Sequence, residues 1–107
     1  MRDNVKGGAL TETTFLIMLA VYKPRHGYGI NKLIEEQTNG RVSLGAGTLY
    51  KALSALLSKN WIEPCGEAGT KKDYVITEAG KRIVESEKVR LKKVVDIAEA
   101  LTEGEHT

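Results

Sequence analysis

The sequence is poor in the features that mark secreted and membrane-spanning proteins. Among its 107 residues there is a single cysteine, Cys65, so no disulfide can form within the chain. No apolar run approaches the roughly 20 residues that cross a bilayer, and residues 1–8 lack the apolar segment of a secretory signal. We therefore expect a one-domain protein of the reducing cytoplasm with no membrane partner.

The sequence also lacks the signatures of an enzyme or a metal site. It has no glycine-rich phosphate loop, no dinucleotide-binding fingerprint, and no serine, histidine and acid set at a plausible spacing. Its two histidines, His26 and His106, are not spaced as metal ligands with each other or with Cys65. We therefore predict no catalytic residue, no cofactor and no metal, and we interpret Cys65 as a small apolar strand residue.

An excess of charge of one sign is nearly absent, because the formal net charge is only +2. Residues 1–77 hold ten lysines and arginines against seven acids, whereas residues 78–104 hold six of each. This mild positive balance in the first part permits nucleic-acid binding without requiring it, and it argues against a non-specific polyanion coat.

The chain does contain one stretch with two contrasting faces, residues 45–59. Leucines recur at helical spacing on one face and predict contact with a core. The other face has no acid and no bulky side chain, and it carries Thr48, Lys51, Ala55 and Ser58. Such a face suits a phosphate backbone or the major groove of DNA, although an ordinary solvated amphipathic helix would show the same pattern.

Start and stop signals divide the rest of the chain. Threonine caps at positions 11 and 77 predict helix starts, and Pro24 and Gly40 predict helix ends. Gly80, in the first turn of the last helix, is predicted to be tolerated at small cost. The predicted order is a flexible arm 1–10, helix 11–22, helix 28–37, an extended segment or edge strand 41–44, helix 46–59, strands 61–66 and 73–77, and helix 78–104.

The last predicted helix, about 39 Å long at 1.5 Å per residue, is longer than so small a domain needs. Its heptad stripe is interrupted at Glu87 and becomes apolar from Leu91 onward. We predict that it forms a homodimer, with folding back onto its own domain as the alternative, and the apolar first helix offers a partner surface for either arrangement. The predicted dimerisation residues are Phe15, Met18, Leu91, Val94, Ala98 and Leu101.

Three helices followed by a two-stranded hairpin predict a winged helix-turn-helix. The fold is expected to be mainly α with a small β hairpin, with a DNA-binding domain over residues 11–77 and a C-terminal dimerisation helix over residues 78–107. In this fold the third helix enters the major groove, and the hairpin tip, here carrying Lys71 and Lys72, reaches the flanking backbone. Because the acid-free helix face and the basic tip fit one geometry, double-stranded DNA becomes the favoured partner.

Four motifs in this order resemble the PadR family of bacterial transcriptional regulators. They are His26-Gly27-Tyr28-Gly29-Ile30, Gly47-Thr48-Leu49-Tyr50, Trp61-Ile62, and Asp73-Tyr74-Val75-Ile76-Thr77-Glu78-Ala79-Gly80. The resemblance covers about residues 10–82, and the long last helix fits the family's short subgroup. It implies a homodimer that binds a palindromic operator and usually represses. It also implies a possible small-molecule effector, aromatic or cationic, bound between the subunits.

The chain departs from the family pattern at the start of the third helix. The family usually has Ser-Pro-Gly before Thr-Leu-Tyr and proline after it, whereas this chain has Gly45-Ala46-Gly47 and Lys51. Base preference is therefore not implied by the resemblance. The long helix also has no aromatic residue of the kind with which some members stack planar drugs.

Eight residues are predicted to contact DNA, each for a stated chemical reason. Gly47 and Thr48 would offer backbone N–H groups to phosphate, unless Gly47 only satisfies a turn. The Tyr50 hydroxyl would reach phosphate, unless the ring is a half-buried core residue. Lys51 is the best candidate for a base or phosphate contact. The remaining candidates are Ser54 and Tyr28, and Lys71 and Lys72 for the backbone alone.

One further aromatic residue and one further function stay open. Trp61 is expected to pack the hairpin on the core, with ligand stacking in a dimer cleft as the alternative. The alternative function is a winged-helix module that binds another protein through its apolar helices and does not bind DNA.

Overall fold

The computed structural model describes residues 9–66 and 72–103, and its elements follow the predicted order. Within these ranges the fold is mainly helical, with one two-stranded antiparallel hairpin, as predicted. The elements are α1 (Glu12–Ala20), α2 (Gly27–Gln37), α3 (Ala46–Ser58), β1 (Ile62–Cys65), β2 (Asp73–Ile76) and α4 (Glu78–Thr102). Residues 1–8 of the predicted arm and the predicted contact residue Lys71 lie outside the described part.

Both predicted threonine caps are confirmed. The Thr11 hydroxyl accepts the N–H of Thr14 at 3.2 Å, and the Thr77 hydroxyl accepts the N–H of Gly80 at 3.0 Å. Helix α1 nevertheless ends two residues earlier than predicted. The Val21 carbonyl accepts the N–H of Ile76 at 2.8 Å, so the chain leaves the helix there and joins the strand.

A single core forms where α1 lies among the other elements. Its fully buried side chains come from every helix and from the hairpin, namely Ile17, Met18, Val21, Ile30, Leu53, Leu56, Ile62 and Val84. The prediction that Met18 contacts a second chain is therefore wrong, because no part of its side chain reaches the surface. Helix α1 is apolar nearly all round, so the sequence could not tell its core face from its outer face, on which Leu19 is exposed.

The hairpin is attached to the turn between α1 and α2. Its strands pair in antiparallel register from Ile62 opposite Ile76 to Cys65 opposite Asp73. On the other edge of its strand, Tyr74 exchanges two backbone hydrogen bonds with Arg25, at 2.8 and 3.1 Å. This bridge fixes the hairpin beside the start of α2.

The predicted extended segment 41–44 contains no strand, so the possibility of an edge strand there is wrong. Asn39 and Gly40 take positive φ values of 53° and 81° and turn the chain. Side chains of α2 and of its end then hold the loop, because the Val42 N–H donates to the Thr38 hydroxyl and the Leu44 N–H donates to Asn31 Oδ1. The ladder that a strand would need is replaced by these side-chain bonds.

The hairpin and α4 meet in a very close contact at Gly80. A Cβ at this position would lie 2.2 Å from the carbonyl oxygen of Trp61, which already accepts the N–H of Thr77 at 3.0 Å. The prediction that Gly80 is tolerated at small cost misses its role, because the close carbonyl requires a residue without a Cβ here. The ring of Trp61 packs against the core, as expected, with the Lys59 ammonium 4.7 Å from its centre.

The first half of α4 belongs to the domain, and its last packed residue is charged. Glu87 is only 3% exposed; it accepts hydrogen bonds from Arg90 Nε at 2.8 Å and from the Leu10 N–H at 3.2 Å. The bond from Arg90, with that from Leu10, holds the pKa of this carboxyl below its usual range. Because Leu10 also packs on the core, the predicted arm does not extend to this residue.

The second half of α4 projects away from the domain. Every residue from 91 to 102 is exposed, and the molecule measures 61 × 28 × 25 Å. Its radius of gyration is 16.0 Å, whereas a compact domain of this length would have about 13 Å.

Candidate nucleic-acid interface

Helix α3 begins without a side-chain cap. Gly45 is the N-cap residue with an extended backbone (φ −68°), and no side chain accepts a hydrogen bond from the first turn. Residues 45–48 are exposed. The backbone N–H groups at this helix end therefore face solvent, where the helix dipole favours a negative ligand.

Two glycines leave the backbone bare at this helix end. Neither Gly45 nor Gly47 has a positive φ, and a Cβ at either position would meet no atom within 4 Å. The alternative that Gly47 only satisfies a turn therefore finds no support in this structure. A helix end without side chains lets another molecule approach the backbone closely.

The two faces of α3 separate as the sequence predicts. Leu49, Leu53 and Leu56 are buried in the core. The opposite face is exposed and carries no acid, and it presents Thr48, Lys51, Ser54, Ala55 and Ser58. Lys51 and Ser54 thus lie on a free helix surface that fits the major groove.

Tyr50 lies between the two faces and covers the start of α2. Its ring packs on Gly27, where a Cβ would lie 2.4 Å from the Tyr50 hydroxyl oxygen. The side chain is half exposed, so Tyr50 is neither a core residue nor a free one. Gly27 allows α2 and α3 to approach while the Tyr50 hydroxyl stays in reach of solvent.

The structure brings three predicted contact residues together around one cleft. Tyr28 at the start of α2 is 70% exposed, and it faces Tyr50 of α3 and Lys72 of the hairpin. The cleft has a volume of about 310 Å³, and His26 and Tyr74 complete its lining. The rings of His26 and Tyr28 stack with their centres 6.2 Å apart.

The electrostatics of this cleft favour an anion. Within the described residues no acid lines it, and the side-chain polar atoms of its five lining residues form no hydrogen bond with the protein. Burial, with a smaller effect of Tyr50, raises the pKa of the Tyr74 phenol, so this group stays a neutral hydroxyl at physiological pH. Its described lining therefore supplies a lysine and open hydroxyl donors but no negative charge.

Sequence reasoning missed His26 and Tyr74 as parts of this site. Both lie within motifs that were recognised, but the motifs alone do not show that the start of α2 and the hairpin meet. The available signal is the position of His26 two residues before Tyr28, at the start of the helix that precedes α3.

Other kinds of site are not supported by the described residues. Among them, no group of histidine, cysteine and acidic side chains could hold a metal ion. The Cys65 thiol has a raised pKa, mainly through burial, so it is not an activated nucleophile. None of the helices in the described ranges has the length and apolar character that a membrane span requires.

Comparison with known proteins agrees with this geometry. The model of the transcriptional regulator PadR-like family matches residues 16–86. A 37.1 kDa protein of transposon Tn4556 from Streptomyces fradiae is 41% identical over 64 residues, which are 60% of this chain and 18% of that protein. The chain thus spans less than a fifth of this relative's length.

Solved structures show the same fold. A transcriptional regulator from Clostridium thermocellum matches with a TM-score of 0.70 and 22% identity, over 83% of this chain and 90% of that one. A PadR-like transcriptional regulator from Bacillus cereus also has a TM-score of 0.70, with 20% identity over 83% and 89% of the two chains. The family match and the exposed α3 face lead to the same conclusion, and this chain belongs to the PadR-like family of transcriptional regulators.

Proposed function

We propose that the chain is a cytoplasmic repressor that binds a palindromic operator as a homodimer. Each subunit places α3 in the major groove and lays the cleft between Tyr28 and Lys72 on the adjacent backbone. The observation that carries this proposal is the position of two acid-free surfaces side by side, the exposed face of α3 and the cleft. Both present donors to solvent, and phosphate oxygens and several base-edge atoms are acceptors.

The homodimer is supported by the projecting half of α4. Leu91, Val94, Ala98 and Leu101 continue the heptad beyond the domain, and all four are exposed. Val95 and Ile97 widen this stripe. An apolar stripe of this kind on a helix with no body beneath it is the usual seam of a helical dimer. Of the predicted residues on α1, Phe15 is only partly buried and remains a candidate contact.

A dimer accounts for a palindromic operator on geometric grounds. Two recognition helices related by a two-fold axis read two half-sites of inverted sequence, about one helical turn apart. A bound dimer placed over a promoter would exclude polymerase, and this is the sense in which we propose repression.

The test is the salt dependence of binding to DNA from the region beside the chain's own gene. Each phosphate contacted by a lysine contributes about −0.9 to the slope of log affinity against log salt concentration. We expect a clearly negative slope and tight binding at low salt. A slope near zero, or no binding at low salt, would contradict the proposal.

Lys51 is proposed to contact bases, whereas Lys71 and Lys72 are proposed to contact only the DNA backbone. Lys51→Ala is expected to weaken binding and also to change the preferred sequence, because the side chain projects from the groove-facing side of α3. Lys71→Ala and Lys72→Ala are expected to weaken binding equally for all sequences. Binding to a library of duplexes measures both effects, and equal losses across the library for Lys51→Ala would remove its reading role.

We further propose a small-molecule effector that releases the dimer from DNA. An apolar groove of about 310 Å³ lies between α1 and α2, lined by Leu16, Leu19, Leu33 and Gln37 among others. It adjoins α1, which also packs on α4, so a ligand there would act on the dimer. A planar aromatic cation should raise the melting temperature and weaken DNA binding, and no change in either would count against this.

The same exposed stripe on α4 would also suit a partner of a different sequence. Sedimentation distinguishes the two cases. A homodimer at micromolar concentration supports the proposal, whereas a monomer that associates only with another protein supports a protein-interaction module.

A further inference from the structure

We propose that His26 binds a DNA phosphate in the cleft and makes DNA binding tighter as the pH falls. This inference rests on the proposed function and assigns the cleft its partner group, one phosphate of the DNA backbone. It adds to the lysines and tyrosines an imidazole, a type of side chain that can take up a proton when it binds an anion.

The position of His26 suits this role. Its half-buried imidazole lines the cleft and stacks on Tyr28, with ring centres 6.2 Å apart. It also packs over Gly29, where a Cβ would lie 3.6 Å from its Cε1 atom. The ring is thus held in one place between a glycine and a tyrosine, so it is positioned before DNA arrives.

His26 has no competing partner in the described part of the chain. It is the N-cap residue of α2, yet its side chain makes no capping hydrogen bond, and no acid in the described ranges pairs with it. Its ring nitrogens are therefore available to an external acceptor. A histidine whose role was structural would be expected to bond the helix start or a carboxylate.

The groups around the imidazole determine how its charge would act. The side chains that face it within the described residues are Tyr28 from α2, Tyr50 from α3, and Lys72 and Tyr74 from the hairpin. Arg25, its chain neighbour, donates through Nε to the Ala20 carbonyl at 2.8 Å. All of these are neutral or positive, so only an external anion would favour the protonated ring. Of these side-chain types, only histidine ordinarily titrates between pH 5 and 8.

The consequence follows from linkage. A phosphate in the cleft favours the imidazolium, so DNA binding takes up a proton and strengthens as the pH falls through the titration range of histidine. Each protonated histidine also adds one cation–phosphate contact, which makes the salt slope steeper by about 0.9 per cleft. DNA phosphates themselves keep their charge over this range.

The experiment compares four proteins at about pH 8 and about pH 5.5, on a duplex from the region beside the chain's own gene. They are the wild type, His26→Gln, His26→Lys and, as a matched control, His106→Gln at the chain's second histidine. Affinity and salt slope are measured by fluorescence anisotropy. Circular dichroism at both pH values checks that each variant is folded, which is expected because the His26 side chain caps no helix.

The wild type and His106→Gln should bind roughly threefold to tenfold more tightly per subunit at the lower pH. His26→Gln should bind alike at both values, and His26→Lys should bind tightly at both. The inference is overturned if His26→Gln keeps the wild-type pH dependence, or if the wild type binds equally at both values. Those results leave the proposed function intact, whereas no binding by the wild type at either pH overturns both.

Discussion

The two exposed surfaces of this chain, on α3 with the cleft and on the second half of α4, differ in chemical character. The face formed by α3 and the cleft is polar and free of acids in the described residues, and the donors of the cleft bond nothing in the described protein. The projecting half of α4 instead exposes apolar side chains, up to Leu101 at 78%. The donors of the first surface have no acceptor to bind, and the apolar side chains of the second are not covered.

This difference indicates which partner is permanent. Hydroxyl and ammonium groups lose little in water, because water satisfies their hydrogen bonds when DNA is absent. Exposed apolar area costs about 25 cal/mol per Å² until it is covered. We therefore expect the α4 contact to be occupied at all times and the DNA face to bind and release.

A charge on the apolar stripe of α4 is expected to have the largest effect. Val94→Glu would bury a carboxylate in the dimer seam. We expect the dissociation constant of the dimer to rise, and the affinity for the operator to fall, by about 100-fold or more. Val89→Glu is the matched control, because Val89 is exposed to a similar degree, 55% against 48%, but lies on the other side of the helix. Sedimentation velocity and anisotropy measure the two effects, and equal behaviour of both variants would refute the assigned seam.

A second variant tests the contact that holds α4 on the domain. Gly80→Ala places a Cβ 2.2 Å from the Trp61 carbonyl oxygen, so backbone must move. We expect the free energy of unfolding to fall by about 2–3 kcal/mol. Urea denaturation followed by Trp61 fluorescence, at fixed protein concentration, measures this loss, and a change below about 0.5 kcal/mol would show that the contact relaxes freely.

Gly47, on the proposed DNA face, should respond to alanine in the opposite way, because the substitution should stabilise the fold. Gly47→Ala meets no atom of the protein, and alanine favours a helix, so the fold should gain roughly 0.5 kcal/mol. DNA affinity should nevertheless fall, by about tenfold, because the methyl group separates the helix end from the phosphate it approaches. Unchanged or improved affinity would show that DNA does not approach this helix end.

A further prediction concerns Glu87, the last packed residue of α4. Its pKa is lowered in the folded chain, so its ion pair stabilises the fold above the ordinary glutamate value of about 4.3. That contribution is lost as the pH falls through the lowered value. Glu87→Gln should cost about 1–2 kcal/mol near neutral pH and much less near pH 3.

The exposed Glu85, which pairs with Lys88, is the control for this effect. Glu85→Gln should change the free energy of unfolding little at either pH, because surface ion pairs contribute little. A loss for Glu87→Gln that persists unchanged near pH 3 would show that charge is not the cause.

Much of the fold could be predicted from the sequence because its signals are local. Threonine caps and glycine breakers fix helix ends, and the leucines of α3 mark its buried face. Predictions failed where a tertiary contact determines the burial or the conformation of a residue. Met18 lies on a helix with no polar side, Gly80 is required by a carbonyl from another element, and residues 41–44 are held by side chains of Thr38 and Asn31.

The candidate site shows the same limit. Lys51 and Ser54 follow from the pattern of a single helix. The cleft forms only because α2, α3 and the hairpin pack together, and no residue spacing in the sequence predicts that packing. His26 was therefore visible as a residue but not as a neighbour of Lys72.

We propose that both surfaces act together, as a dimer on DNA. Hydroxyl-radical footprinting of the region beside the chain's own gene tests it most directly. We expect two protected stretches related by a dyad, with centres about one helical turn, or roughly 10 base pairs, apart. A single unpaired stretch, or no protection at low salt, would contradict it.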